Sequence, residues 1–220
     1  MDLILSSNFP LKDNEVVIEY IKNTLKIQTP KTAFISALKQ VDQFEKYKNN
    51  LIKYGLQVVE YFETIKEIDL KGFEYLNKFD ILYLHGGNPF RILQQIKISG
   101  FDQILSNLKN SNKIIIGTSG SSMVLSENIS LLYSLYPKTK KKVSNGLSNN
   151  MMGLNLFPYG VLPHYNRYKK KETVEIIKEY SRRNKTKIYV IHDGSAIIYK
   201  EKEIKIIGNV VIYKNGQEMV

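Results

Sequence analysis

Four short stretches of this chain carry side chains able to do chemistry together, and each sits where an apolar, β-rich run gives way to small or polar residues. The first is Gly117-Thr118-Ser119-Gly120-Ser121, between the run Lys113-Ile114-Ile115-Ile116 and the helix-forming Met123-Val124. A strand, a tight turn of small residues and a helix start form the setting of a nucleophile elbow, in which the turn lifts a serine hydroxyl clear of a sheet. The helix that follows turns its free N–H groups and positive end toward the same spot. Gly117 lets the backbone bend, and Gly120 lets its own N–H approach a substrate oxygen. The elbow pattern is Gly-x-Ser-x-Gly, and Ser121 stands here for the second glycine. Taken alone, the pentapeptide reads equally as a serine-rich helix cap.

The second stretch, Leu84-His85-Gly86-Gly87-Asn88-Pro89-Phe90, follows the apolar run Ile81–Leu84 and opens a helix, with Pro89 suited to its first turn. Paired glycines at a strand end can offer bare N–H groups to an anion, which suits an oxyanion hole; a plain βα turn is the other reading. The third, Val161-Leu162-Pro163-His164-Tyr165, puts a histidine at a strand end, where a general base working near neutral pH could stand. The fourth, Ile191-His192-Asp193-Gly194, puts a carboxylate where it could orient that histidine, although Asp-Gly is also a common hairpin turn. Between Ser119 and His164 the chain has one carboxylate, Glu127, carried about 12 Å along a helix from the serine at 1.5 Å per residue. Pairing His192 with Glu172 or Glu175 is conceivable but puts the acid in mid-helix. The order Ser119, His164, Asp193 places all three groups at strand ends.

Those strand ends need a scaffold, and the rest of the chain supplies one. Its 220 residues and 43% hydrophobic content suit one sizeable globular domain spanning residues 1–220. Apolar runs at Leu3–Ser6, Thr32–Ile35, Gln57–Tyr61, Ile81–Leu84, Lys113–Ile116, Lys187–His192, Ala196–Lys200, Ile204–Ile207 and Val210–Tyr213 predict strands. Helical patterns lie at Asp13–Thr24, Val41–Tyr54, Phe90–Ile98, Phe101–Asn110, Ser121–Ser126 and Lys171–Arg183. In the second of these, Val41, Phe44, Tyr47, Leu51 and Tyr54 share a face. Strand–helix alternation over the first two-thirds predicts a mostly parallel sheet covered by helices on both sides, with ligands at the carboxyl ends of its strands. The strand-rich last third is expected to add antiparallel strands at an edge.

Composition narrows the chemistry. There is no cysteine, which excludes disulfides, thiolate catalysis and cysteine-bound zinc, and only three histidines are present. The N-terminus, Met1-Asp2-Leu3-Ile4-Leu5, reads as a first strand and not as a signal peptide, no run approaches 18 apolar residues, and the cytoplasm is the expected compartment. The net charge of +11 comes from lysines spread along the whole chain, densest at Lys138–Lys142, which is read as a solvated loop and not as a nucleic-acid site.

Taken together, the four stretches resemble the dipeptidase E and cyanophycinase family of serine peptidases. The family's Gly-Gly-Asn segment is matched by Gly86-Gly87-Asn88, its Gly-x-Ser-Ala-Gly elbow by Gly117–Ser121, its Pro-His-aromatic segment by Pro163-His164-Tyr165, and its acid-Gly pair by Asp193-Gly194. Ser6-Ser7-Asn8-Phe9 and Gly153-Leu154-Asn155-Leu156 are similar as well. The resemblance implies a single-domain α/β three-layer sandwich of the class I glutamine-amidotransferase-like type. It implies Ser119 as nucleophile, His164 as base, Asp193 as orienting acid, and the N–H groups of Gly87 and Gly120 as oxyanion hole, with Asn88 and Tyr165 at the substrate. No metal or organic cofactor is expected. The implied substrate is a short peptide, cleaved through an acyl-enzyme; a cyanophycinase-like amide hydrolase and an inactive binding homologue are the alternatives, and a homodimer stays open. In aspartyl-specific members an arginine follows a Glu-Thr pair; here Val174 follows Glu172-Thr173, so strict N-terminal Asp specificity is not implied.

Overall fold

The computed structural model describes residues 1–9, 15–38, 41–64, 70–136, 151–167 and 170–219. The expected helix start at Asp13 and the basic run Lys138–Lys142 lie outside the described residues.

Strands β1 (Asp2–Ser6), β2 (Lys31–Ser36), β3 (Gln57–Glu63), β4 (Ile81–Leu84) and β5 (Ile114–Thr118) pair in parallel in the order β3-β2-β4-β5-β1. Two antiparallel strands, β8 (Ala196–Lys200) and β9 (Glu203–Ile207), extend this sheet from β1. The strands are apolar on both faces because both faces are covered. Alternation along each strand deals its residues to two cores. Ile4, Phe34, Tyr83, Ile116 and Ile198 meet α1 (Glu15–Leu25) and α2 (Val41–Lys53). Leu3, Leu5, Ile35, Leu84, Ile115 and Ile197 face the opposite core. That core is closed by α3 (Leu70–Leu76), α4 (Pro89–Ser99), α5 (Phe101–Asn107), α6 (Gly120–Leu125), α7 (Leu131–Leu135) and α8 (Lys171–Asn184). This is the expected single-domain α/β fold with a mostly parallel sheet and an antiparallel edge.

The last third departs from expectation in one respect. The strands expected at 187–192 and 210–213 do not join the main sheet. As β7 (Lys187–Ile191) and β10 (Val210–Lys214) they form a second, four-stranded sheet in the order β11-β10-β7-β6, with β6 (Gly160–Pro163) and β11 (Gln217–Met219). β6 and β7 run parallel, with Pro163 opposite Ile191. Residues 188–191 are all buried, so this sheet packs into the larger core instead of ending in solvent.

On the other face an aromatic cluster closes around His85. Its ring stacks on Phe34 at 5.1 Å and meets Tyr47 edge-on at 4.5 Å, and Nδ1 is buried without a hydrogen-bond partner. Burial lowers its pKa to about 4. Above pH 6.5 the ring is neutral in both the folded and the unfolded chain. Between about 6.5 and about 4 the unfolded chain takes up a proton that the folded one refuses, so stability falls as pH falls through that window. His85→Phe removes this term: the loss of stability between pH 7 and pH 5, read by urea unfolding, should be smaller than in wild type by about 2 kcal/mol. Equal losses in the two proteins would contradict the assignment.

Candidate active site

Ser119 sits at the carboxyl end of β5, in the middle of the main sheet, with φ 52° and ψ −124°. A side-chain-bearing residue reaches this conformation only at a cost of roughly 1–3 kcal/mol, and its neighbours over-determine it. The Ser119 N–H donates to the Ser6 carbonyl at 2.9 Å, and the Ser119 carbonyl accepts from the Ser122 N–H and hydroxyl. Gly86 makes the room: a Cβ there would stand 2.8 Å from the Ser119 Cβ. The sharp turn lifts the Ser119 hydroxyl to 2.5 Å from His164 Nε2.

His164 follows β6 and Asp193 lies just beyond β7. Because these neighbouring strands run parallel, their ends come side by side, and His164 Nδ1 lies 3.0 Å from Asp193 Oδ1. Asp193 is heavily engaged. Its Oδ2 accepts from Arg167 Nε at 2.5 Å and Asn166 Nδ2 at 3.2 Å, and its backbone N–H donates to Asn166 Oδ1. Burial pushes the Asp193 carboxyl up, but donors from Ser7, His164, Arg167 and Asn166 outweigh it and hold the pKa well below the usual carboxylate range. Burial pulls the His164 pKa below its ordinary 6.5, reinforced by the Arg167 charge and opposed by Asp193. At neutral pH the ring is therefore neutral, with Nε2 available to take a proton. The structure thus brings Ser119, His164 and Asp193 into one line. The other candidates lie elsewhere: the His192 ring packs edge-on against Tyr165, and Glu127 accepts from the Thr186 hydroxyl.

The line borders a cleft of about 330 Å³, whose walls include Phe9, Tyr47, His85, Gly87 and Arg167. Gly87 borders it directly, whereas Gly120 is buried behind the serine. The departure from the elbow pattern at 120–121 has a physical account. A Cβ at Gly120 would stand 2.0 Å from the Gly87 carbonyl oxygen, so the glycine pair and the elbow pack backbone to backbone. Ser121 uses its hydroxyl to donate to the His85 carbonyl at 2.6 Å, tying the elbow helix to the segment that carries Gly86 and Gly87.

Two expected substrate contacts find other work. Tyr165 is fully buried and shares a 2.6 Å hydrogen bond with the Tyr213 hydroxyl, so it faces the core. Asn88 Oδ1 accepts from the N–H groups of Phe90 and Arg91, capping α4 outside the cleft. Sequence reasoning passed over Ser7 and Asn166 as site residues, and placed Arg167 near the site without a role. Ser7 Oγ lies 2.7 Å from His164 Nδ1 and 2.6 Å from Asp193 Oδ1. Its place at the carboxyl end of β1 was the available signal. Among the described residues no group of three His, Asp or Glu side chains is placed to hold a metal ion, and no helix is long and apolar enough to cross a membrane.

A fold, an elbow and a serine–histidine–acid line of this kind define a class, and comparison with known proteins gives its family. Residues 3–207 match the model of peptidase family S51, and the chain belongs to that family. It is 32% identical over 211 residues to an uncharacterized peptidase of Listeria monocytogenes, covering 92% of this chain and 96% of that one. It is 27% identical over 162 residues to an uncharacterized peptidase of Pasteurella multocida, covering 70% of this chain and 75% of that one. A solved Listeria monocytogenes structure, named as a candidate peptidase E, superposes with a TM-score of 0.72 at 28% identity, covering 94% of this chain and 98% of that one. A peptidase from an acI-B1 actinobacterium shares the fold, with a TM-score of 0.70 at 16% identity over 99% of this chain and 92% of that one. The protein is thus a peptidase of the serine hydrolase class.

The packing at 120–121 can be checked directly. Gly120→Ala forces its methyl group into the Gly87 carbonyl and should lower stability by about 1–3 kcal/mol in urea unfolding. Ser121→Ala removes the donor to the His85 carbonyl and should cost about 1 kcal/mol. A Gly120→Ala protein as stable as wild type would refute the backbone contact.

Proposed function

We propose that this protein cleaves short peptides through a Ser119–His164–Asp193 triad and an acyl-enzyme. The observation that carries the reading is the 2.5 Å contact between the Ser119 hydroxyl and His164 Nε2, backed on the far side of the ring by the Asp193 carboxylate. As Ser119 Oγ attacks a peptide carbonyl, its proton passes to His164 Nε2, and Asp193 stabilises the imidazolium that results. The N–H groups of Gly87 and Gly120 donate to the developing oxyanion. The imidazolium protonates the leaving amine, and water, activated by the same ring, releases the acyl group.

The cleft supports a broader preference than N-terminal aspartate. Val174, at the position where aspartyl-specific relatives carry arginine, packs against the core and brings no cation to the substrate. Arg167 is the charged side chain on the wall, and its Nε is held by Asp193. Phe9 and Gly87 on the wall carry no ionisable side chain, and the buried His85 is neutral near pH 7. Exopeptidase action on short cytoplasmic peptides completes the reading.

A fluorophosphonate probe should label the wild-type protein at Ser119, and Ser119→Ala should abolish both labelling and turnover of a dipeptide panel, with kcat falling on the order of 10⁴- to 10⁶-fold. Undiminished turnover in Ser119→Ala, or a wild type that neither labels nor cleaves any member of the panel, would end the proposal. The pH dependence follows from the depressed His164 pKa. The base works when deprotonated, so kcat/KM should rise with pH through a midpoint below 6.5 and be flat by neutrality. A midpoint clearly above 6.5 would argue against His164 as the base.

A further inference from the structure

We propose that Ser7 is a fourth member of the catalytic constellation, a positioning residue whose hydroxyl joins the His164 ring to Asp193. The inference rests on the triad reading and adds to it a group just beyond β1 that neither the elbow nor the histidine and acid motifs contain.

Distances argue for it first. The direct contact between His164 Nδ1 and Asp193 Oδ1 is 3.0 Å, yet Ser7 Oγ lies closer to both, at 2.7 Å from the nitrogen and 2.6 Å from the carboxylate oxygen. Each of the two contacts made by the hydroxyl is therefore shorter than the direct contact between ring and acid. Ser7 is also fully buried, so this link is shielded from the solvent that would otherwise compete for its hydrogen bonds.

Proton bookkeeping argues for it second. A serine hydroxyl has one hydrogen and two lone pairs, while an ionised carboxylate can only accept. At 2.6 Å from Asp193 Oδ1, the Ser7 hydrogen must point at the carboxylate, because otherwise two acceptor oxygens would face each other at that distance. The Ser7 lone pairs are then left toward His164, and Nδ1 must carry a hydrogen to meet them at 2.7 Å. A neutral ring with its hydrogen on Nδ1 has a bare Nε2, the state needed to accept the Ser119 proton across 2.5 Å. Ser7 thereby selects the working tautomer. Asp193 alone is a divided partner, since Oδ2 is taken up by Arg167 and Asn166.

The backbone argues for it third. Ser7 cannot drift, because its N–H donates to the Ser195 carbonyl and Asn8 Oδ1 accepts from the Gly194 N–H at 3.0 Å, which stitches the end of β1 to the loop bearing Asp193. One residue earlier, the Ser6 carbonyl holds the Ser119 N–H. The charged or titratable groups around His164 are Asp193 and Arg167 beside the ring, with His85 and Tyr47 bordering the same cleft.

Two readouts test the role. In peptide turnover, Ser7→Ala should lower kcat about 10- to 100-fold, as expected for losing a hydrogen bond to a group that becomes charged, with KM within about twofold of wild type. Ser7→Thr, which keeps the hydroxyl, should regain most of the rate. Ser7→Cys preserves the volume with a weakly hydrogen-bonding sulfur, should behave like Ser7→Ala, and serves in its place if the alanine protein does not fold. The second readout is independent of turnover. In protein labelled with ¹⁵N-histidine, the His164 signals are identified by their loss in His164→Gln. Ser7→Ala and Ser7→Cys should shift the Nδ1–H resonance and the His164 titration midpoint, while Ser7→Thr should leave both near wild type. If Ser7→Cys keeps the wild-type kcat, the Nδ1–H resonance and the midpoint, the proposal is overturned. If wild type is not labelled by fluorophosphonate but the His164 signals shift as expected, the triad reading fails and the link from Ser7 to the ring stands.

Discussion

Three consecutive residues at the end of β1 hold together groups that come from two different sheets. The Ser6 carbonyl takes the N–H of the elbow serine, the Ser7 hydroxyl bridges His164 and Asp193, and the Asn8 side chain takes the N–H of Gly194. Ser119 belongs to the main sheet, whereas His164 and Asp193 belong to the small one. The 2.5 Å serine–histidine contact therefore depends on how closely two independently paired sheets dock. Part-buried hydrogen bonds along the seam hold that docking.

The elbow and the glycine segment opposite it show the same principle at shorter range. Ser119 is held in an unfavourable backbone conformation, which is stable because its own N–H and carbonyl are both satisfied and because Gly86 yields the space. The interchange of small residues at 120 and 121 adapts this arrangement. Absence of a side chain at 120 lets the Gly87 carbonyl approach, and the hydroxyl added at 121 ties down the preceding carbonyl. Read from sequence, the pair departs from the elbow pattern at its second glycine; in three dimensions both residues make specific contacts with the segment 85–87.

Much of this was legible in the chain. The parallel strands are short apolar runs punctuated by helices, and Ser119, His164 and Asp193 each follow such a run, so strand ends pointed to the chemistry. The second sheet was not legible. Lys187–Ile191 is apolar on both faces and suits either sheet, and its choice depends on pairing with Gly160–Pro163, a four-residue strand with little pattern of its own. Tyr165 and Asn88 were misread for a related reason: a motif preserves residue types, whereas burial against Tyr213 or capping of α4 decides where their polar atoms point. Ser7 stood in a segment similar to the family's but received no role, because its partners lie 157 and 186 residues away.

The division of the site between two sheets has a consequence for the nascent chain. The strand that precedes the serine ends at residue 118, whereas the imidazole follows β6, which pairs with β7 in the other sheet. A partly folded molecule containing only the central sheet lacks the imidazole and the carboxylate of the proposed triad. The proposed triad is thus complete only when both sheets have formed and docked against each other.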